Sequence, residues 1–337
     1  MQTSRKLTHA LVALFALVLM SATALAADPG ADTNVQSDIS DQKAGSILVY
    51  NLYSSAAAPT PTHNTRINIT NTNTTNSVIV HLFFVADNCT VADFKLPLTE
   101  NQTFSFVVSE FDPGFNGYII AIATDSFGVP ISFNFLIGDE YVKLPTGHSA
   151  NLGAEAVAAL FPFGEYPPGI GSQDPTQAVL ASLVFDSDQN YNKFPAVLAA
   201  DNVPSRGDGN VTILVINRLE GNLADLMASV PRLFALVFDD AETAYSTNFV
   251  PGGCQRRIEL NDTEPRTVPR FTQIIPQGRD GWIKFYSTTG NVPLLGAQLN
   301  FNPNVAQRGD VFNGGHNLHK LRLTGIATVI TMPVFPF

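Results

Sequence analysis

Charge is scarce in this chain: Asp, Glu, Lys and Arg make up 14% of its 337 residues, against about 25% in an ordinary soluble domain. What charge there is runs acidic, with 29 carboxylates against 19 Lys and Arg and a formal net charge of -10. No basic stripe interleaved with aromatics offsets it, which excludes the phosphate-neutralising surface that nucleic-acid binding needs. Cysteine is nearly absent. Two residues, Cys89 and Cys254, can build neither a disulfide scaffold nor a Cys-rich zinc site. Tryptophan occurs once, at Trp282, so the aromatic platform common in sugar-binding modules is thin. After the first residues there is no apolar run of the ~20 residues that a membrane-spanning helix requires. A Gly-rich phosphate loop, paired catalytic carboxylates and a nucleophile with an evident base are also lacking. These absences point away from an enzyme and from a bound cofactor.

Residues 1–26 read as a secretory signal, with Arg5 and Lys6 before an apolar stretch and Ala24-Leu25-Ala26 as a small-residue cleavage site. Its removal takes away two positive charges and no acids, so -10 becomes about -12. The expectation is an exported chain without a transmembrane segment, at home in the periplasm, on the cell surface or outside the cell. Export places Cys89 and Cys254 where a disulfide persists. Whether they bond depends on geometry that sequence does not give.

Parts of the sequence recur. Asn64-Thr-Arg-Ile67-Asn-Ile69-Thr-Asn71 returns as Asn210-Val-Thr-Ile213-Leu-Val215-Ile-Asn217, and Gly117-Tyr-Ile119 as Gly281-Trp-Ile283. Asn134-Phe135 matches Asn300-Phe301, and Gly147-His148 with Asn151-Leu152 matches Gly315-His316-Asn317-Leu318. Short alternating runs bounded by Gly, Pro, Asn and Asp indicate antiparallel strands, with Ile131–Phe135 the clearest period-two case. The fold expected is all-β: two tandem Ig-like antiparallel β-sandwich domains related by internal duplication. Their bounds are a flexible lead-in at 27–42, domain 1 at 43–160, a Pro/Gly-rich linker at 161–177 and domain 2 at 178–337. One or two short helices are expected, one from Ser149 to about Leu160 and a second around Asn222 to Val230.

Several groups could carry chemistry. Thr146-Gly147-His148-Ser149 is like a nucleophile elbow, but Asn151 stands where that motif needs Gly, and the second copy has no Ser. His316 and His319 lie three apart with Asp310 nearby, a spacing compatible with a metal, although His319 has no counterpart in the first copy and a capping or core-edge role is the simpler account. His81, inside an apolar run, fits a hydrogen-bonded core position. Asp186, Asp188 and Asn190 space oxygens as a calcium loop begins, yet Tyr191 replaces the required Gly and Val197 the bidentate Glu, leaving only a weak calcium candidate. Asp239, Asp240 and Glu242 read as a solvated loop. Arg206-Gly-Asp208 and Arg308-Gly-Asp310 read as turns.

The run Ser40–Ser46, Phe133–Asp139, Gly147–Gly153 and Gly315–Leu321 together resemble a group of exported bacterial β-rich proteins of uncharacterised function. The resemblance implies an exported β-rich protein and transfers no functional residue. The function expected is that of a non-enzymatic envelope or extracellular structural or interaction protein, acting through a protein partner or self-association. A carbohydrate- or calcium-dependent binding module is the alternative, with a secreted hydrolase using Ser149 behind it.

Overall fold

The computed structural model describes residues 38–57, 62–170, 180–288, 291–304 and 313–336. The expected signal, most of the lead-in, residues 171–177 of the linker and Asp310 lie outside these. Residues Val35–Phe337 form one compact unit.

The first nine strands are β1 (Ile47–Ser54), β2 (Asn64–Asn71), β3 (Val78–Ala86), β4 (Val91–Leu98), β5 (Thr103–Val107), β6 (Asn116–Thr124), β7 (Leu136–Lys143), β8 (Ser149–Gly153) and β9 (Glu155–Val157). Then come β10 (Leu180–Phe185), β11 (Pro195–Pro204), β12 (Val211–Arg218), β13 (Gly221–Asn222), β14 (Leu233–Phe238), β15 (Ala244–Phe249) and β16 (Gln255–Glu259). The last are β17 (Asp280–Ser287), β18 (Leu294–Phe301), β19 (Gly314–Asn317), β20 (His319–Leu323) and β21 (Thr328–Pro333). A four-residue helix, Phe271–Ile274, sits between β16 and β17.

These strands form five sheets. A first large sheet has the order β4-β3-β6-β1-β9 and a first small sheet β5-β2-β7-β8. The second large sheet is β15-β14-β17-β11-β20, the second small sheet β16-β12-β18-β19, and a three-stranded sheet is β10-β21-β13. The two large sheets share one strand order, as do the two small ones.

Burial explains why the sheets do not fall into two separate pairs. Every residue of β1 is buried, which requires cover on both faces and a nearly continuous apolar sequence. Leu48 and Tyr50 enter a core shared with Ile67 and Ile69 of the first small sheet. Their neighbours Ile47 and Val49 face the other way, into a core with Leu183 of β10 and Ile330 and Met332 of β21. The second small sheet is likewise two-faced: Leu214 and Ile216 pack with Leu198 and Phe285, whereas Ile213 and Val215 pack with Leu52, Val142 and Leu152. Apolar packing therefore runs from one half of the chain into the other.

This overturns the expected fold class. Five sheets, the number of blades in a five-bladed β-propeller, replace two tandem Ig-like sandwiches. A tandem pair would keep two cores apart and leave an outer face of each sheet in water, whereas here the same strands serve a core on each face. Both expected helices are corrected as well. Ser149–Gly153 and Glu155–Val157 are strands, because Ala150 and Leu152 alternate into a core, and this burial overrides the helix propensity of an Ala-rich stretch. Asn222 ends β13, and residues 223–230 form a turn and an irregular segment held by backbone bonds such as Asn222 N to Leu226 O.

The repeated sequence landmarks map onto the sheets unevenly. Gly117 and Gly281 occupy matching sites, where an added Cβ would stand 1.9 Å from the oxygen of Val85 and 2.4 Å from that of Phe238. Asn134 and Asn300 do not match: Thr212 of β12 faces Asn300, while Arg66, at the corresponding place in β2, faces Tyr141. Ile131–Phe135 lies outside the strands. Its alternation arises because Phe133 enters the core and packs edge-on against Phe135, not from sheet pairing.

Candidate functional site

One device appears in both large sheets with different consequences. The register of β1 against β6 shifts between Tyr50 and Tyr53, and that of β11 against β17 shifts between Ala200 and Val203. A bulge re-aims the side chains it carries. In β1 it turns Asn51 into a buried amide network: Asn217 Nδ2 donates to Asn51 O at 2.8 Å, and Asn51 Nδ2 donates to Asn317 Oδ1 at 2.9 Å. In β11 it presents Asp201 and Asn202 to solvent, with Asn202 at φ 43°.

The exposed bulge borders a cleft of about 530 Å³. Asn202, Asn210, Gln298 and Asn300 supply amides to its wall, and Asp208, Arg279 and Asp280 supply charge. The amides are held in place: Asn300 Nδ2 donates to Asn210 Oδ1 at 3.0 Å, and Thr212 Oγ1 donates to Asn300 Oδ1 at 3.1 Å. Gln298 is buried. Its Nε2 makes only a long 3.4 Å contact with Asn202 O, and its Oε1 has no partner. Asp208 Oδ2 accepts from Gly278 N at 2.6 Å, and Arg279 pairs with Asp240. Burial raises the Asp280 carboxyl above its usual range, helped by the charges of Asp208 and Asp240. The chemistry on offer is convergent hydrogen bonding, with no Phe, Tyr or Trp among the described residues of the wall.

A second cavity of about 460 Å³ shares Asn202 and His316 with the first and adds Asp41, Asp201, His319 and Lys320. Here the two histidines singled out in the sequence come together with Asp201, while Asp310 lies outside the described residues. His316 Nε2 lies 3.3 Å from Asp201 Oδ1, and His319 Nε2 lies 3.2 Å from Asp201 Oδ2. Among the described residues these three form a His/Asp group able to hold a metal ion. Asn317 anchors the strand between the histidines by donating to Gly153 O at 2.7 Å and to Asp41 Oδ2 at 3.1 Å. Lys320 is occupied by Glu155 at 2.7 Å. Asp201 was missed from sequence because it lies far from the histidines in the chain. Its one local signal is a polar pair, Asp201-Asn202, interrupting an apolar strand.

The remaining candidates sit elsewhere. Ser149 opens β8, and the adjacent His148 has both ring nitrogens engaged, with Thr146 Oγ1 and Val211 O, each at 2.8 Å. His148 is therefore not oriented as a base for Ser149. Asp186 caps its own loop: Oδ1 accepts from the backbone N–H groups of Asp188, Gln189 and Asn190, and Oδ2 from Asn190 Nδ2 at 2.7 Å. These bonds hold its carboxyl below the usual range against the effect of burial. His81 is buried with Nε2 2.9 Å from Asp93 Oδ2. Burial lowers its affinity for a proton and Asp93 partly restores it. Arg206 and Asp208 lie in a short 3-10 turn, with Arg206 2.8 Å from Glu259. Cys89 and Cys254 are bonded, with Cα atoms 5.0 Å apart. Trp282 stacks on Phe238 at 4.1 Å. Among the described residues no helix is long and apolar enough to cross a membrane.

No family model matches the chain, and no curated protein matches it. Among solved structures, a Thermotoga maritima protein is similar over 36% of this chain and 98% of its own, at 8% identity and a TM-score of 0.26. A Streptomyces avermitilis α-L-rhamnosidase complexed with L-rhamnose is similar over 84% of this chain but 29% of its own, at 10% identity and a TM-score of 0.18. A Pleurotus ostreatus lectin complexed with GalNAc is similar over 88% of this chain and 84% of its own, at 11% identity and a TM-score of 0.16. Scores of this size carry no inference about fold or function.

Proposed function

We propose that this chain is an exported, non-enzymatic binding protein that takes a neutral, hydroxyl-rich ligand of the carbohydrate class in the cleft beside the β11 bulge. The observation that carries this reading is the convergence of Asn202, Asn210, Gln298 and Asn300 with Asp208, Asp280 and Arg279 on one cleft of about 530 Å³. Amides and carboxylates at fixed positions are the donors and acceptors that a ring of hydroxyls pairs with. The disulfide supports an oxidising compartment such as the periplasm or the outside of the cell. Calorimetry with a panel of neutral mono- and disaccharides tests the reading. Binding by the wild type that weakens at least about tenfold in Gln298→Ala and in Arg279→Ala supports it, as lost charged or buried hydrogen bonds are worth that much. No heat with any sugar, or variants binding as well as wild type, overturns it.

A second reading, self-association, is favoured by a different observation. Phe83, Tyr118 and Ile120 on the outer face of the first large sheet are buried with residues of the three-stranded sheet. The matching face of the second large sheet carries Phe234, Phe238 and Trp282 only half-buried, a surface suited to another copy of this chain. Sedimentation separates the readings: a monomer at all concentrations removes this one.

A further inference from the structure

We propose that Asp201, His316 and His319 bind a divalent transition-metal ion of the zinc class at the rim of the cleft. The first argument concerns protons. His316 Nδ1 lies 3.0 Å from the backbone oxygen of Asn317, and a carbonyl oxygen can only accept, so Nδ1 carries the hydrogen. In the neutral ring Nε2 then presents a lone pair, and it faces Asp201 Oδ1 at 3.3 Å. Two acceptors facing each other without a proton between them repel, and a cation between them removes the repulsion. The Nδ1–H to carbonyl contact is also the outer support that metal-bound imidazoles carry to fix their tautomer.

The second argument is distance. Ligand atoms about 2.0–2.1 Å from a tetrahedral zinc ion stand about 3.3 Å from one another. His316 Nε2 is 3.3 Å from Asp201 Oδ1 and His319 Nε2 is 3.2 Å from Asp201 Oδ2, so each histidine stands one such distance from its own carboxylate oxygen, and both contacts are longer than the ~2.7–2.9 Å of a good charge-assisted hydrogen bond. All three ligand atoms lie within 4.8 Å of one another. The third argument is the local field. Lys320, whose side chain lines the same cavity, is matched by the buried Glu155, and Asp41 adds a carboxylate there, so the carboxylates offset the ammonium among the described lining residues. Imidazole nitrogens with one carboxylate favour zinc, copper or nickel over calcium or magnesium.

Three protein ligands leave at least one coordination position open. The side chains of Asp201, His316 and His319 are 54%, 42% and 56% exposed, so that position is accessible to water or to a ligand group. His316 borders both cavities, which puts the ion beside the proposed sugar cleft without depending on it.

The test uses the full mature chain and Zn²⁺ alone, in competition with a chromophoric chelator, and Co²⁺ as a spectroscopic stand-in. We expect one ion per chain, with affinity reduced at least about tenfold in Asp201→Asn and in His319→Ala. His63→Gln, at a histidine held by Ser54 outside this cluster, is expected to bind as wild type does. Stoichiometry of zero, unchanged affinity in Asp201→Asn and His319→Ala, or an equal loss in His63→Gln overturns the proposal and leaves a plain imidazolium–carboxylate contact. Sugar titrations repeated with a strong chelator present keep the two proposals apart: sugar binding that survives the chelator preserves the cleft reading whatever the ion does.

Discussion

His148 donates Nε2–H to the backbone oxygen of Val211 at 2.8 Å, so a buried imidazole in the first half of the chain satisfies the first carbonyl of β12 in the second. Its Nδ1 accepts from Thr146 Oγ1 at 2.8 Å, which fixes a neutral ring. Burial lowers its proton affinity below the usual 6.5, against the opposing pull of Val211 O and Glu259. The unfolded chain therefore binds this proton more readily than the native one. Its contribution to stability is full above pH 6.5 and is lost as pH falls through 6.5 toward the lower native value. We expect His148→Ala to destabilise by about 2–4 kcal/mol at pH 8, combining a stranded carbonyl with lost packing, and by less at pH 5. Urea midpoints at the two pH values decide. An equal loss at both would show that the ring does not titrate as the geometry implies.

Glu140 gives the opposite sign. Its Oε1 accepts from Leu52 N at 3.1 Å inside the protein, and its Oε2 has no partner. Burial raises its carboxyl well above the usual 4.5, with the N–H groups of Leu52 and Asn51 pulling it down and Asp139 adding to the rise. The native state then holds a proton that the unfolded chain releases, so this group weakens the fold progressively as pH rises above 4.5. Glu140→Gln keeps an acceptor for Leu52 and cannot ionise. We expect its stability relative to wild type to rise from pH 4 to pH 8, measured by chemical denaturation. A gap that narrows with pH would contradict the assignment.

Gly117 and Gly281 predict a paired effect. Each brings its Cα against the backbone oxygen of a neighbouring strand, Val85 or Phe238, leaving no space for a methyl group. Gly117→Ala and Gly281→Ala are each expected to lose about 3 kcal/mol or more, since the atom that must move is backbone rather than a flexible side-chain end. Thermal unfolding of the two single variants against wild type measures this. If both unfolded at the wild-type temperature, the close approach would be wrong.

Cys89 and Cys254 close a loop across 165 residues. A chain-entropy account gives about 5 kcal/mol for a loop of that length, and native disulfides commonly contribute about 2–5. We expect reduction to lower the unfolding free energy by an amount in that range, read as a lower denaturation midpoint, while the sheets persist in far-UV circular dichroism. No shift on complete reduction would show that the bond adds nothing to the packing already there.

Much of the strand content was legible because period and composition report local burial. The run Ile47–Ser54 is apolar but for Asn51 and Ser54 and is covered on both faces, and Asn64–Asn71 alternates as it does in the sheet. The repeat was legible where glycine is irreplaceable, at Gly117 and Gly281, and misleading where it rested on Asn-Phe pairs. An Asn before a Phe recurs by composition, whereas a missing Cβ is demanded by geometry. The Ala-rich stretch after Ser149 read as a helix because propensity is local, and it is strand because Leu152 is claimed by a core with Ile213 and Val215 from the other half. Of the candidate site, the histidine pair was visible and its carboxylate was not. Asp201 reaches the histidines only through a bulge in β11, and a bulge leaves no trace beyond one polar pair in an apolar strand.

By itself the sequence determined that this chain is all-β, poor in charge, acidic and equipped with two cysteines, because those properties are sums over residues or short-range patterns. The tertiary structure decided that the cysteines bond, that strands from both halves share their cores and that five sheets stand where two sandwiches were expected. It also decided that one bulge buries Asn51 while its counterpart turns Asp201 toward two histidines. Such outcomes depend on which faces meet across long separations, and no local pattern records the partner.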